Sequence, residues 1–206
     1  MQSPISIDDK NVMPALLPDE FRWNYVPKNA VMKNIGHGIM IEWEDAVGAV
    51  WINGTEYRLK QMHWHIPSEN SFNGHRFSLE LHCLHQNAID QKMAMVSIIF
   101  EVGKPDRFIA KVEKHIGTIR RKVNAAVSLG LVDPAEVIRD FRRYYRFQGS
   151  ITVPPCTEGV TWTVNREVRT ISMEQLELLK GAVMPEYANN ARPQQHLNDR
   201  LIQLFA

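Results

Sequence analysis

The stretch QMHWHIPSE at residues 61–69, followed by FSLELHCLH at residues 77–85, decides how this sequence is interpreted. Residues two apart on a β-strand point to the same face, so His63 and His65 project together. A short loop between the two stretches lets the second strand return antiparallel beside the first, where His82 faces the same side. We therefore expect three imidazole rings to converge from two neighbouring strands.

These three histidines suggest a particular metal. Three neutral imidazole nitrogens suit Zn²⁺ with one coordination position open to water, which is typical of catalytic rather than structural zinc. A ligating histidine usually donates its other ring N–H to a carboxylate, amide or carbonyl group. Glu80 lies two residues before His82 on the same face, and Gln61 lies two residues before His63. The pattern predicts a zinc site whose ligands are oriented by these polar neighbours.

A second metal-binding interpretation is a cupin-type barrel, whose motif places a glutamate shortly after the HxH pair. In that case His63, His65 and Glu69 bind iron or manganese, and the chemistry is metal-dependent oxygenation. The glycines that flank the motif are out of place, since Tyr57 stands at the upstream position and Gly74 comes early. The glutamate and histidine of the second strand also stay unexplained, so a cupin-type metal oxygenase is the lower alternative.

Length and charge exclude several classes of protein. The chain has 206 residues, with 24 Lys and Arg against 23 Asp and Glu. This balance argues against a dedicated nucleic-acid-binding protein, which normally carries a basic excess. The best apolar run, at residues 93–100, is far shorter than the ~18 residues of a membrane-spanning helix, and the first residues show no signal-peptide pattern. We expect one domain over residues 1–206, with no nucleic-acid partner and no transmembrane segment.

Local patterns predict a strand-rich chain with a few helices. Asn53-Gly54 between two alternating runs indicates a tight hairpin, because both turn residues need a positive φ. Strands are predicted at residues 39–43, 48–52, 55–60, 61–66, 76–85, 93–101 and 160–168. Helices are predicted at residues 105–121, 135–145 and 173–182, and a loop at residues 148–159. Because there is no regular βαβ alternation, the predicted fold class is mostly β or α+β.

Four separate segments, in the same order, resemble the α-class carbonic anhydrases nearly from end to end. They are QSPI at residues 2–5, the two histidine stretches, GSITVPPCTEGVTW at residues 149–162, and NARP at residues 190–193. The CTEG form within the third segment is similar to plant, algal and bacterial secreted members. The resemblance implies a twisted, mainly antiparallel ten-stranded sheet with surface helices, and zinc-dependent reversible hydration of CO2 to bicarbonate. It suggests a secreted, periplasmic or organelle-lumen setting and leaves the compartment open.

The resemblance also implies which residues form the metal site. The zinc ligands would be His63, His65 and His82. Their orienting partners would be Gln61 for His63, Glu80 for His82, and the backbone around Asn190 for His65.

Further residues acquire roles in the reaction through the same resemblance. Thr152 and Glu69 would be the pair that orients the attacking oxygen. His37, between two glycines, matches the histidine that shuttles protons to and from solvent. The apolar pocket for CO2 would be lined by Leu84, Met95, Ile151, Val160 and Trp162.

Three positions depart from the usual pattern of this family. Asn70 stands where a histidine usually follows Glu69, Met95 replaces a usual valine, and Val153 lacks a hydroxyl often present beside Thr152. An amide replaces only part of the histidine's hydrogen bonding, and the methionine crowds the pocket although its thioether adapts. A carbonic-anhydrase-like protein with reduced or lost activity, in a storage, structural or assembly role, is therefore the alternative function.

The two cysteines are expected to differ. Cys83 alternates to the face opposite His82, so we expect it to be a small buried residue. The resemblance implies a partner for Cys156 in an N-terminal segment ahead of Gln2, which is absent from this sequence. A bond to such a partner would indicate an oxidising compartment.

Overall fold

The computed structural model describes residues 1–16, 21–139 and 141–206, and its main feature is one large twisted sheet. In chain order, the strands are β1 (Ser6–Ile7), β2 (Val12–Pro14), β3 (Arg22–Trp23), β4 (Lys28–Asn34), β5 (Ile39–Trp43), β6 (Ala49–Ile52), β7 (Thr55–His65), β8 (Ser71–Phe72), β9 (His75–Arg76), β10 (Leu79–Gln86), β11 (Met93–Val102), β12 (Ala126–Val132), β13 (Tyr144–Ser150), β14 (Glu158–Asn165), β15 (Arg169–Ile171) and β16 (Ile202–Phe205). The α-helices are α1 (Arg107–Ile119), α2 (Ala135–Ile138) and α3 (Met173–Ala182), and short 3₁₀ segments lie at Asp9–Asn11 and Pro185–Tyr187.

Ten strands follow one another across the sheet, in the order β12-β4-β5-β7-β10-β11-β14-β13-β16-β2. Three more strands attach to this path, because β15 pairs with β11 and β3 pairs with β6, which itself pairs with β7. Within the described ranges, the parallel pairings in this sheet are β11 with β14, β11 with β15, and β16 with β2. The expected ten-stranded, mainly antiparallel sheet is thus confirmed, with three side strands and some parallel pairings added. A separate small sheet joins β1, β8 and β9.

The large sheet separates two buried apolar clusters. Alternate residues of β11 enter different clusters, Val96 and Ile98 on one side and Met95 and Ile99 on the other. Helix α1 packs on the first cluster through an apolar stripe of spacing three and four, as its sequence predicts. The Asp106 carboxylate accepts hydrogen bonds from the first free N–H groups of this helix, which fixes where it begins.

Two helices and the hairpin confirm the local predictions, but a third helix does not. The helix predicted at residues 135–145 is confirmed only as far as Ile138 and is wrong at Tyr144 and Tyr145, where β13 begins; residue 140 lies outside the described residues. In β13, Tyr145 lies opposite Val164 and Phe147 lies opposite Trp162, and these aromatic side chains are buried in the second cluster. Sheet pairing and burial therefore override helical propensity here.

The segment from 148 to 168 also differs from the prediction in its boundaries. The loop predicted at residues 148–159 is shorter, because β13 continues to Ser150 and β14 already starts at Glu158. In turn, β14 ends at Asn165 rather than at residue 168. The strands predicted at 55–60 and 61–66 are one strand, β7, which follows the Asn53-Gly54 turn. No helix in the described ranges is long and apolar enough to span a bilayer.

Candidate metal centre

Strands β7 and β10 bring the three predicted histidines together at the middle of the sheet. The two strands are antiparallel, and their register places His82 directly opposite His63 and Glu80 directly opposite His65. The ring centroids are 4.9 Å apart for His63 and His65, 5.2 Å for His63 and His82, and 4.7 Å for His65 and His82. One nitrogen from each ring lies within 4.8 Å of the other two. The predicted convergence is therefore present in the structure.

Hydrogen bonds determine which ring nitrogens stay available to a metal. His63 Nδ1 lies 2.8 Å from Gln61 Oε1, and His82 Nε2 lies 3.0 Å from Glu80 Oε1, as the spacing predicts. The remaining nitrogen of His82, Nδ1, is buried and has no hydrogen-bond partner among the described residues, and the same is true of both ring nitrogens of His65. Buried polar atoms normally have partners. Orphaned imidazole nitrogens that face one another fit a divalent metal such as Zn²⁺.

Burial also favours the neutral form, which a metal requires, for His63 and His65. Burial lowers the pKa of His63 well below its ordinary value, and the neighbouring imidazoles of His65 and His82 lower it further. Burial lowers the pKa of His65 as well, although the nearby Glu69 carboxylate opposes that effect. Neutral imidazole is the metal-binding form, so His63 and His65 can bind a cation at neutral pH without first losing a proton.

Glu80 is a fully buried carboxylate held by several donors. Its Oε1 accepts hydrogen bonds from Asn70 Nδ2 at 2.7 Å and from the Ser97 hydroxyl, in addition to His82 Nε2, and its Oε2 accepts the Asn70 backbone N–H at 2.7 Å. Burial alone raises the pKa of Glu80, but its interactions with His82, Ser97 and Asn70 outweigh burial and hold the pKa below its usual value. An ionised Glu80 can therefore fix the tautomer of His82.

Asn190 lies beside the end of β7, as expected, but it acts chiefly on the backbone. Its Oδ1 accepts the Ile66 N–H at 2.9 Å, and its Nδ2 donates to the His37 carbonyl at 2.7 Å. The Asn190 backbone lies close enough to His65 to favour the protonated ring, and it makes no hydrogen bond of ordinary geometry with that ring. Asn190 thus ties the metal-site strand to the segment that carries His37.

Glu69 and Thr152 are both buried, and Glu69 lies close to two of the histidines. Glu69 Oε1 accepts the Arg192 backbone N–H at 2.8 Å and lies 3.5 Å from His65 Nδ1. Glu69 Oε2 is 3.9 Å from His82 Nδ1 and has no hydrogen-bond partner in the described part of the chain. No hydrogen bond joins Thr152 to Glu69 among the described residues, so the predicted pairing of these two side chains stays a prediction.

His37 lies on the rim of a small cavity beside the histidine cluster. The cavity has a volume of about 70 Å³, and the side chain of His37 is exposed. The cavity is lined by Ile35, His37, Gly38, Met40, Gln61, His63, Trp64, His65, Val153 and Asn190. It therefore connects two of the clustered histidines with an imidazole at the surface.

The residues predicted to form the CO2 pocket lie on the same side of the sheet, outside the lining of that cavity. Met95, Val160 and Trp162 are fully buried in the second apolar cluster, and Leu84 and Ile151 are partly buried against it. The Trp162 ring meets the His82 ring edge to face at 5.0 Å between centroids. These side chains form an apolar wall next to His82.

Sequence reasoning missed Ser97, whose hydroxyl supports Glu80. A signal was available, because Ser97 interrupts the apolar run at residues 93–100 and the register places it opposite His82. Cys83 is fully buried as expected, and burial raises the pKa of its thiol. Cys83 and Cys156 are both free thiols.

Comparisons with known proteins identify the family of this chain. Residues 1–205 match the family model for eukaryotic-type carbonic anhydrases. The chain is 42% identical to alpha carbonic anhydrase 7 of Arabidopsis thaliana over 205 residues, which covers 100% of this chain and 74% of that protein. The crystal structure of dioscorin complexed with ascorbate superimposes with a TM-score of 0.94 at 41% identity, covering 99% of this chain and 85% of that one. An α-carbonic anhydrase of Photobacterium profundum gives a TM-score of 0.86 at 34% identity, with coverage of 98% and 88%. The chain belongs to the eukaryotic-type carbonic anhydrase family.

Proposed function

We propose that this member of the family catalyses the zinc-dependent, reversible hydration of CO2 to bicarbonate and a proton. The observation that carries the proposal is the convergence of His63, His65 and His82, in which buried ring nitrogens of His65 and His82 have no hydrogen-bond partner among the described residues. When bound, zinc would act as a Lewis acid and lower the pKa of a coordinated water to about 7, the magnitude typical of carbonic anhydrases.

The polar residues around the cluster orient the imidazoles and the attacking oxygen. Gln61 and Glu80 hold two of the imidazoles in fixed tautomers, at 2.8 and 3.0 Å. A carboxylate accepts hydrogen bonds, and Glu69 Oε2, which has no partner among the described residues, is available to accept one from the Thr152 hydroxyl. The Thr152 oxygen is then left as an acceptor, so it selects and orients an attacking oxygen that still carries a hydrogen.

Substrate and proton need different surroundings. CO2 is apolar, and the wall of Leu84, Met95, Ile151, Val160 and Trp162 offers contacts that need no hydrogen bonds. The proton released by the reaction must reach solvent, and an exposed imidazole both accepts and releases protons near neutral pH. The position of His37 on the rim of the cavity supports this role.

Zinc analysis combined with a CO2-hydration assay tests the proposal. The purified chain is loaded with Zn²⁺ and assayed by stopped flow beside the His82→Ala variant. We expect about one zinc per chain and catalysis in the wild type. We expect the variant to lose well over about 100-fold in metal affinity, because the loss of an orienting partner alone costs 10- to 100-fold. A wild-type rate no better than that of His82→Ala would refute the proposal.

A second candidate function is a family member with reduced or lost activity in a storage, structural or assembly role. Asn70, in place of the usual histidine, favours it, and so does the similarity to a protein named dioscorin rather than carbonic anhydrase. A zinc content well under one per chain would support this candidate over the enzyme.

The cupin-type alternative has no support from the family match, and one variant separates it from the proposed enzyme. If Glu69 were a ligand, Glu69→Gln would abolish metal binding. If Glu69 serves Thr152, the same variant keeps its zinc and loses rate. Metal analysis of Glu69→Gln therefore distinguishes the two interpretations.

A further inference from the structure

We propose that Asn70 is a positioning residue of the metal site, which fixes the Glu80 carboxylate and through it the imidazole of His82. The inference rests on the proposed zinc site and concerns a residue outside the ligand set. Asn70 is fully buried, and it is the position at which this chain departs from the histidine usual in the family.

Asn70 contacts both oxygens of the Glu80 carboxylate. Its side-chain Nδ2 donates to Oε1 at 2.7 Å, and its backbone N–H donates to Oε2 at 2.7 Å. Two donors from one residue prevent the carboxylate from rotating about its last bond. The Oε1 atom therefore stays in line with His82 Nε2, 3.0 Å away.

The other side of the Asn70 amide explains why its NH₂ group faces Glu80. Asn70 Oδ1 accepts the backbone N–H of Ile5 at 3.1 Å. Because an N–H can only donate, the amide must turn its oxygen toward Ile5 and its NH₂ toward Glu80. The carbonyl of Asn70 also accepts the Ser68 hydroxyl at 2.8 Å, which holds the backbone of the same residue.

The segment that presents Ile5 is itself anchored. Ile5 is fully buried in the second apolar cluster, and its carbonyl accepts the Ser71 N–H at 3.2 Å. Strand β1 continues this contact, with Ser6 opposite Ser71 in the parallel pairing of β1 with β8. The position of residues 5–9, called the N-terminal segment from here on, thus determines the orientation of the Asn70 side chain, which supports His82 through Glu80.

Asn70→Asp tests the inference with almost no change of shape. The variant keeps an oxygen for Ile5 but places a carboxylate oxygen against Glu80 Oε1, where the wild type has a donor at 2.7 Å. We expect zinc affinity, measured by competition with the chelator dipicolinate, to fall by about 10- to 100-fold. An unchanged affinity would refute the inference. A wild type that binds no zinc would instead refute the proposed function, so the two failures are distinguishable.

Asn73→Asp is a matched control, because it makes the same chemical change three residues away, in the turn between β8 and β9. Asn73 also holds the N-terminal segment, since its Oδ1 accepts the Asp9 N–H at 2.8 Å and its Nδ2 donates to Asp9 Oδ2 at 2.9 Å. It is exposed and makes no hydrogen bond to Glu80 among the described residues. We expect its zinc affinity to equal that of the wild type. An equal loss in both variants would show that the effect passes through the N-terminal segment generally and would overturn the role given to Asn70.

A double variant separates positioning from general destabilisation. Asn70→Asp combined with Glu80→Ala makes this separation, because the second change removes the carboxylate through which Asn70 is proposed to act. We expect the double variant to lose less zinc affinity than the product of the two single losses. Losses that simply multiply would mean that Asn70 does not act through Glu80. If Asn70→Asp does not fold, Asn70→Ser, which removes the side-chain bonds without adding charge, takes its place in the affinity measurement, and an unchanged affinity would again refute the inference.

Discussion

Strand β10 carries two fully buried histidines, His82 and His85, on opposite faces of the sheet, and their surroundings differ. His82 Nε2 is hydrogen-bonded to the Glu80 carboxylate, and His82 Nδ1, which has no hydrogen-bond partner among the described residues, lies close to two further imidazoles. His85 has Nε2 at 2.5 Å from the Tyr25 hydroxyl, and the two rings stack at 6.1 Å between centroids. Both are fully buried and each has an Nδ1 atom without a hydrogen-bond partner among the described residues, so it is the surrounding imidazoles that distinguish a candidate ligand from a structural histidine.

The largest expected difference between the two faces is in zinc binding. His85→Ala should leave zinc content and catalytic rate unchanged, whereas His82→Ala loses both. Because His85 fills buried space, its removal should lower the free energy of unfolding by about 2–4 kcal/mol. Urea unfolding beside metal analysis provides both measurements. Loss of zinc from His85→Ala would contradict the separation of the two faces.

The second prediction concerns pH. Burial lowers the pKa of His85 to about 4, against weaker opposing effects of the Cys83 and Ala94 backbone. The folded state therefore keeps His85 neutral while the unfolded state takes up a proton below about pH 6.5. His85 should thus remove stability as the pH falls from about 6.5 to 4, by up to about 3 kcal/mol.

His85→Phe is the control for this pH effect, because phenylalanine fills the site without titrating. Other buried histidines also bind protons on unfolding, so the measured quantity is the difference between the two proteins. Unfolding free energies at several pH values should decline less steeply in His85→Phe than in the wild type. Parallel pH dependences would contradict the assignment of this slope to His85.

The smallest expected effect is that of Tyr25→Phe. The variant removes the hydroxyl that meets His85 Nε2 and leaves a buried ring nitrogen without a partner. A cost of about 1–3 kcal/mol in unfolding free energy follows. Zinc affinity should not change, because Tyr25 lies on the face of the sheet opposite the histidine cluster. Thermal or urea unfolding and chelator competition check the two parts of this prediction.

The residues that could be predicted from the sequence are those fixed by local alternation. Period-two spacing places His63, His65, Gln61, Glu80 and His82 on one face, because side chains of a strand must alternate. The Asn53-Gly54 turn and helix α3 are similarly local, the latter with a capping box at Ser172 and Gln175. Features of this kind depend little on contacts with distant parts of the chain.

The features that could not be predicted depend on contacts between distant segments. Tyr144 begins a strand instead of continuing a helix, because β14 and β16 pair on either side of it. The donors to Glu80 come from Asn70 and Ser97, and the N–H on Glu69 comes from Arg192. Spacing alone does not show which of many polar residues meet across a sheet.

The order of strands also has a consequence for the time at which the site can assemble. Strand β2 lies at the edge of the sheet against β16, with Val12 opposite Ile202. Arg200 donates to the Gln2 carbonyl and Arg192 to the Ser3 carbonyl, across nearly the whole chain. Contacts of such high sequence separation form slowly, because loop closure must precede them. During synthesis, residues 2–5 are therefore made long before residues 192–200, which hold them, and the hydrogen bond between Ile5 and Asn70 is fully supported only when those late residues are in place.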